Sequence, residues 1–138
     1  MPEAERPSQH VLVVNDTEEI LDLFREIIEG MGHRVTARTF APDDLAEIAR
    51  IKPDLAVVDF VIGGETLGWQ LVQKMKMSRD TDRIPILICT GALREVREQE
   101  GWLTSKGVKI VFKPFSVDDL ELAIGKALSL PPMLNQGG

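Results

Sequence analysis

The sequence predicts an α/β fold, a doubly wound parallel sheet with helices on both faces. Three observations predict it. Short apolar runs rich in β-branched residues alternate strictly with longer amphipathic stretches, five of each. Such alternation calls for right-handed crossovers and an open parallel sheet. Three of the runs are apolar at every position, as strands covered on both faces are. The third observation is size: 138 residues, 43% of them hydrophobic, suit one domain with a single core.

Residues 11–14, VLVV, read as the first strand, too short for a globular helix. Over 17–31 the apolar positions Ile20, Leu23, Phe24, Ile27, Ile28 and Met31 form the stripe of an amphipathic helix, which Gly30 and Gly32 end. The next run, HRVTART (33–39), is a more polar strand, expected nearer an edge. A second helix follows Pro42, with Leu45, Ile48 and Ala49 inward, and stops before Pro53. LAVVD (55–59) is the third strand, and a helix carrying Leu71, Val72 and Met75 follows. PILICT (85–90) is the fourth strand. The helix after it, about 92–104, shows Leu93, Val96 and Leu103 among the charges of REVREQE. VKIVF (108–112) closes the set of strands. The last helix starts at Ser116, with Asp119 as its capping-box partner, and runs through Leu120, Ile124, Ala127 and Leu128. Residues 1–8 and 131–138 have the Pro and Gly content of tails, so the expected domain is 9–130. There is no internal repeat.

Composition narrows the function. The formal net charge is -6, which argues against nucleic acid as a direct partner, because phosphate binding needs clustered Lys and Arg. No stretch of about 20 apolar residues is present to cross a membrane. The first ten residues, MPEAERPSQH, lack the apolar core of a signal peptide, so the expected location is the cytoplasm. The single cysteine, Cys89, cannot form an internal disulfide and sits in the apolar ILIC run, where a buried structural thiol is the default. No metal-ligand spacing connects His10 and His33.

Folds of this class bind ligands at the carboxyl ends of their strands. Four of those ends carry polar residues: Asn15-Asp16, Asp59, Thr90-Gly91 and Lys113-Pro114. Each has an ordinary reading alone. Asp16 could cap the first helix, Thr90 could be a strand-end residue, and Lys113 could be a solvated charge. Asp59 is the exception, since an unpaired carboxylate after three apolar residues would be costly in a core. Together they make a site. Two carboxylates and an amide oxygen suit Mg²⁺, while Lys and Thr suit the oxygens of a phosphoryl group. One carboxylate can then be the nucleophile and form an aspartyl-phosphate.

The pieces VLVVND, LAVVD, PILICTGA and FKPF resemble the receiver domain of bacterial two-component response regulators, over nearly all of 9–130. The resemblance implies a flavodoxin-like sheet of order 2-1-3-4-5. It implies that Asp59 accepts a phosphoryl group from a histidine kinase or phosphotransfer protein. Mg²⁺ would be held by Asp16, Asp59 and the backbone carbonyl of Val61, with Asn15 acting through a water. Thr90 would turn toward the phosphoryl group, Lys113 would pair with it, and Lys113–Pro114 would be cis.

Departures from the family pattern carry their own expectations. Asn15 stands where an acid is usual, which weakens Mg²⁺ binding. Gly63-Gly64 and Gly68 follow Asp59 at unusual spacing, so a longer, looser loop is expected there. Ile110 replaces the usual aromatic switch residue, and the chain has no Tyr. Val61 and Ala92, two residues after Asp59 and Thr90, are apolar and cannot orient a hydrolytic water, so slow self-dephosphorylation is expected. Trp102 and Phe115 are read as packing residues, with a partner-facing patch as the alternative.

The expected function is a stand-alone receiver. It would not be an enzyme, would signal to an unknown downstream protein by contact, and would be a monomer or a phosphorylation-linked dimer. The rival reading is a pseudo-receiver, a binding module that is never phosphorylated. An enzyme or nucleotide carrier on the same architecture fits poorly, since the turn NDTEEI has no glycine and its acids repel pyrophosphate.

Overall fold

In the computed structural model, which describes residues 8–39, 45–62 and 64–129, five parallel strands form one sheet. The strands are β1 (His10–Val14), β2 (Arg34–Arg38), β3 (Leu55–Val58), β4 (Ile86–Thr90) and β5 (Lys109–Phe112). Their order is β2-β1-β3-β4-β5, as the family resemblance implied. The helices among the described residues are α1 (Glu18–Gly30), α2 (Leu45–Ile51), α3 (Leu67–Lys76), α4 (Leu93–Glu98), α5 (Glu100–Ser105) and α6 (Val117–Ser129). Pro42 and the tail residues 1–7 and 131–138 lie outside the described residues.

Strand alternation divides the core into two layers. Leu12 and Val14 of β1, Ala56 and Val58 of β3, and Ile86 and Ile88 of β4 face one side, under α2 to α5. Val11, Val13, Leu55, Val57, Leu87 and Cys89 face the other, under α1 and α6. Both sides of the three central strands are therefore buried, which is why their sequences are apolar without interruption. The polar run at 34–38 is the edge strand β2, as expected.

Helix ends follow local chemistry. Gly32 takes φ 95°, a left-handed conformation that costs glycine little, and it stops α1. The α6 start is a reciprocal capping box: Asp119 N–H donates to Ser116 Oγ at 3.0 Å, and Ser116 N–H donates to Asp119 Oδ2 at 3.3 Å.

One expectation is corrected. The helix expected over about 92–104 is two short helices broken at Gln99, whose φ -111° and ψ 8° leave helical geometry. Only Val96 of α4 is buried, and Gly101 lowers helix propensity just past the break. In the loop after Asp59, Gly63 lies outside the described residues, and the main chain pairs on either side of it. Ile62 N–H donates to Glu65 O at 2.8 Å and Glu65 N–H to Ile62 O at 3.1 Å, closing a tight turn with Gly64 at φ 79°. Ile62 is itself buried and pins that turn to the core.

Candidate functional site

Parallel pairing brings the strand ends to one edge. Val14 is in register with Val58, Val58 with Ile88, and Thr90 with Phe112. The next residues, Asn15, Asp59 and Lys113, therefore emerge side by side above the sheet. Asp59 is the centre of the group, with its side chain only 11% exposed. Three donors converge on its carboxylate. Oδ2 accepts from Lys113 Nζ at 3.3 Å and from Asn15 Nδ2 at 3.3 Å, and Oδ1 accepts from Val61 N–H at 3.2 Å. This resolves the cost of a carboxylate at the end of an apolar strand: its charge is met by a cation and two N–H groups. A carboxylate offers about four lone-pair sites, so three donors leave Oδ1 with acceptor capacity to spare.

Asn15 is buried, at 4% exposure. Its Oδ1 accepts from Thr17 N–H at 2.9 Å, the turn that leads into α1. A backbone N–H can only donate, so this bond sets the amide orientation and sends Nδ2 toward Asp59. What Asn15 presents to Asp59 is thus a donor. Asp16, next in sequence, is exposed and accepts from Thr17 Oγ1 at 3.4 Å. The N-cap position of α1 is Thr17, one residue after Asp16.

Thr90 is 1% exposed, and its hydroxyl accepts from Ala92 N–H at 3.1 Å. Its carbonyl accepts from Lys113 N–H at 2.9 Å, which ties the end of β4 to the end of β5. The Lys113–Pro114 peptide is cis. Cys89, beside Thr90, faces the α1 and α6 layer. Burial pushes its thiol up to about 12, an effect that Lys113 opposes and Asp59 reinforces. That thiol is inert. Val61, Ala92 and Ile110 are half-buried and pack on the α2 to α5 layer.

The donor set suits a hydrated Mg²⁺ ion. Asp16 and Asp59 are the carboxylates at this edge of the sheet, and with the Val61 carbonyl they would hold the ion. Among the described residues no group of three or more His, Cys, Asp or Glu side chains could enclose a metal. Mg²⁺ keeps several waters and needs only one or two carboxylates, so this sparse set fits it.

Sequence reasoning missed two contributors. Val61 N–H is a main-chain donor and leaves no trace in residue identity. Gly68 was noted only as part of a loose loop, yet a Cβ there would overlap the carbonyl oxygen of Asp59. The first turn of α3 therefore lies directly against the peptide that carries Asp59. Trp69 follows it, stacked on Phe60 with ring centroids 5.5 Å apart. An aromatic residue directly after a glycine at a helix start was the available signal. Trp102 and Phe115 both pack, Trp102 edge-on to Trp69 at 5.2 Å and Phe115 against Phe24 at 6.2 Å.

Comparison with known proteins agrees with this geometry. Residues 11–125 match the family model described as the response regulator receiver domain. The phosphate regulon transcriptional regulatory protein PhoB of Rhizobium meliloti (strain 1021) is 31% identical over 112 residues, covering 80% of this chain and 48% of that protein. The chain spans about half the length of the curated relatives it matches. Among solved structures, a CheY-like receiver domain protein from Methanospirillum hungatei JF-1 superposes with a TM-score of 0.74 at 26% identity, covering 88% of this chain and 94% of that one. The receiver domain of the sensor histidine kinase PA1611 from Pseudomonas aeruginosa PAO1 does so at 0.75 and 20% identity, covering 90% and 100%, and that structure has a magnesium ion in its active-site cleft.

Proposed function

The chain belongs to the response regulator receiver family, and from that premise we propose that Asp59 accepts a phosphoryl group from a histidine kinase or phosphotransfer protein. The observation that carries the reading is the convergence of Lys113, Asn15 and the Val61 N–H on one carboxylate at the carboxyl edge of the sheet. The step balances simply. An oxygen of Asp59 attacks the phosphorus of a phosphohistidine, a P–O bond forms, the P–N bond breaks, and its electron pair returns to the imidazole. Lys113 offsets charge on the phosphoryl oxygens. The Thr90 hydroxyl, now an acceptor for Ala92 N–H, has its own proton to donate to one of those oxygens. Asp16, Asp59 and the Val61 carbonyl would hold Mg²⁺, which supplies charge neutralisation when bound. With Val61 and Ala92 apolar, no side chain at either position orients a hydrolytic water, and the acyl phosphate is long-lived.

In this reading the chain is a phosphoryl acceptor and not an enzyme. It acts in the cytoplasm by contact with a downstream protein. One observation favours a second reading, a binding module that is not phosphorylated: Asn15 replaces an acid and turns an amino group toward Asp59.

Incubation with acetyl phosphate and Mg²⁺, followed by intact mass, separates the two. The wild-type chain gains one phosphoryl group and Asp59→Ala gains none. A wild-type mass that stays unchanged at saturating Mg²⁺ favours the binding module.

A further inference from the structure

The peptide that carries Asp59 is gripped from one side by a structure the phosphotransfer chemistry does not itself require. Gly68 leaves no room for a side chain over the Asp59 carbonyl. Trp69 N–H donates to Phe60 O at 3.2 Å. The Trp69 ring stacks on the fully buried Phe60 ring, 5.5 Å between centroids and 22° between planes. Behind it, Trp102 of α5 meets Trp69 edge-on at 88°, and Lys106 Nζ lies 5.9 Å from the centre of the Trp102 ring. Leu103, beside Trp102, is fully buried and anchors α5 in the core.

All of these contacts fall on Asp59–Phe60, or on a ring that backs it. The following peptide, Phe60–Val61, carries the N–H that donates to Asp59 Oδ1. A rotation of Phe60 would take that N–H away from the carboxylate. Phe60 is buried and Trp69 covers its ring, which opposes that rotation. The chain's two tryptophans are spent on this stack.

We propose that Trp69 is a positioning residue for Asp59. Through Phe60 it holds the Val61 N–H on the carboxylate, and Trp102 holds Trp69 in place. The inference rests on Asp59 being the phosphoacceptor, and it adds a determinant of rate outside the strand-end residues. Aromatic pairs of this kind contribute beyond their buried area because ring quadrupoles set their geometry. Small misplacements of a reacting group cost large factors in rate.

Two readouts test it in Trp69→Ala, Trp69→Phe and, as a control on the opposite layer, Ile124→Ala. The first is amide hydrogen exchange of the segment Phe60–Thr66, which needs no phosphorylation. The second is the rate of acetyl phosphate labelling. In Trp69→Ala the loop exchanges about tenfold faster, as loss of the stack frees it. Labelling falls on the order of tenfold to a hundredfold. Trp69→Phe keeps a ring on Phe60 and restores both to within about twofold. Ile124→Ala lowers the thermal midpoint and changes neither. Wild-type values in Trp69→Ala overturn the proposal. So does a Trp69→Phe protein as impaired as Trp69→Ala, or an Ile124→Ala protein with the same defects. A wild-type chain that takes no label overturns the phosphoacceptor reading and the effect on rate, while loop exchange still decides whether Trp69 holds the loop.

Discussion

Asp59 and Cys89 are ionisable groups close enough for their charges to interact, and they meet burial in opposite ways. The carboxylate is surrounded by donors. The thiol has apolar neighbours and is kept neutral, its ionisation moved from 9.0 to about 12 mainly by burial. This has a consequence for stability. Between pH 9.0 and about 12 the unfolded chain releases the Cys89 proton while the folded chain retains it. The unfolded state then binds fewer protons, so stability falls as pH rises through that window. The loss is on the order of 1 kcal/mol by about pH 10. Urea unfolding at about pH 8 and about pH 10 checks it in wild type and Cys89→Ala. The variant starts less stable, because a buried sulfur is gone, but it shows the shallower decline. Lys76 works in the other direction, held below its usual 10.5 by burial, and it cancels from the comparison because both proteins carry it. Equal declines in the two proteins would remove Cys89 as the cause.

At the level of elements, the strands were legible because burial on both faces leaves an unbroken apolar run, as in VLVV and LAVVD. The helices α1 and α6 were legible from a full apolar stripe and, for α6, a capping pair. What was not legible is geometry without a residue signature. The turn at Ile62–Glu65 is closed by main-chain bonds, and the amide orientation of Asn15 is set by the main chain of Thr17. The break at Gln99 was hidden because Val96 and Leu103 keep helical spacing across it. That break divides the segment into unequal parts. α4 and α5 each have one buried side chain, Val96 and Leu103, and the N–H of Ala92, the N-cap of α4, is held by the Thr90 hydroxyl. α5 also has Trp102 against Trp69. Local opening follows buried contact, so amides of α4 exchange about tenfold faster than those of α5. Thr90→Val, which removes the hydroxyl acceptor while keeping the volume, widens the gap by acting on α4 alone. Equal rates in the two helices, or a Thr90→Val effect on both, would show that the break leaves one cooperative helix.

For the molecule as a whole, the electrostatic field is set by 22 acids against 16 bases. Every phosphodonor is an anion at its reacting end, so the chain repels the group it is proposed to accept. Lys113 acts against that only at close range, since it is partly exposed and already paired with Asp59. The long-range part is screened over about 10 Å at 0.1 M salt. The balance between the two is measurable. With Mg²⁺ held constant and a neutral salt added from low to moderate ionic strength, labelling by free acetyl phosphate speeds up a few-fold, because screening removes repulsion between like charges. A protein donor with a basic docking face gives the reverse slope, since screening then removes an attraction. A flat profile with acetyl phosphate would mean that the field of Lys113 governs approach and that the net charge of the fold does not reach the cleft. A falling one would mean that the cleft attracts anions before they touch Asp59, and the partner face would then have to be sought away from the acidic surface.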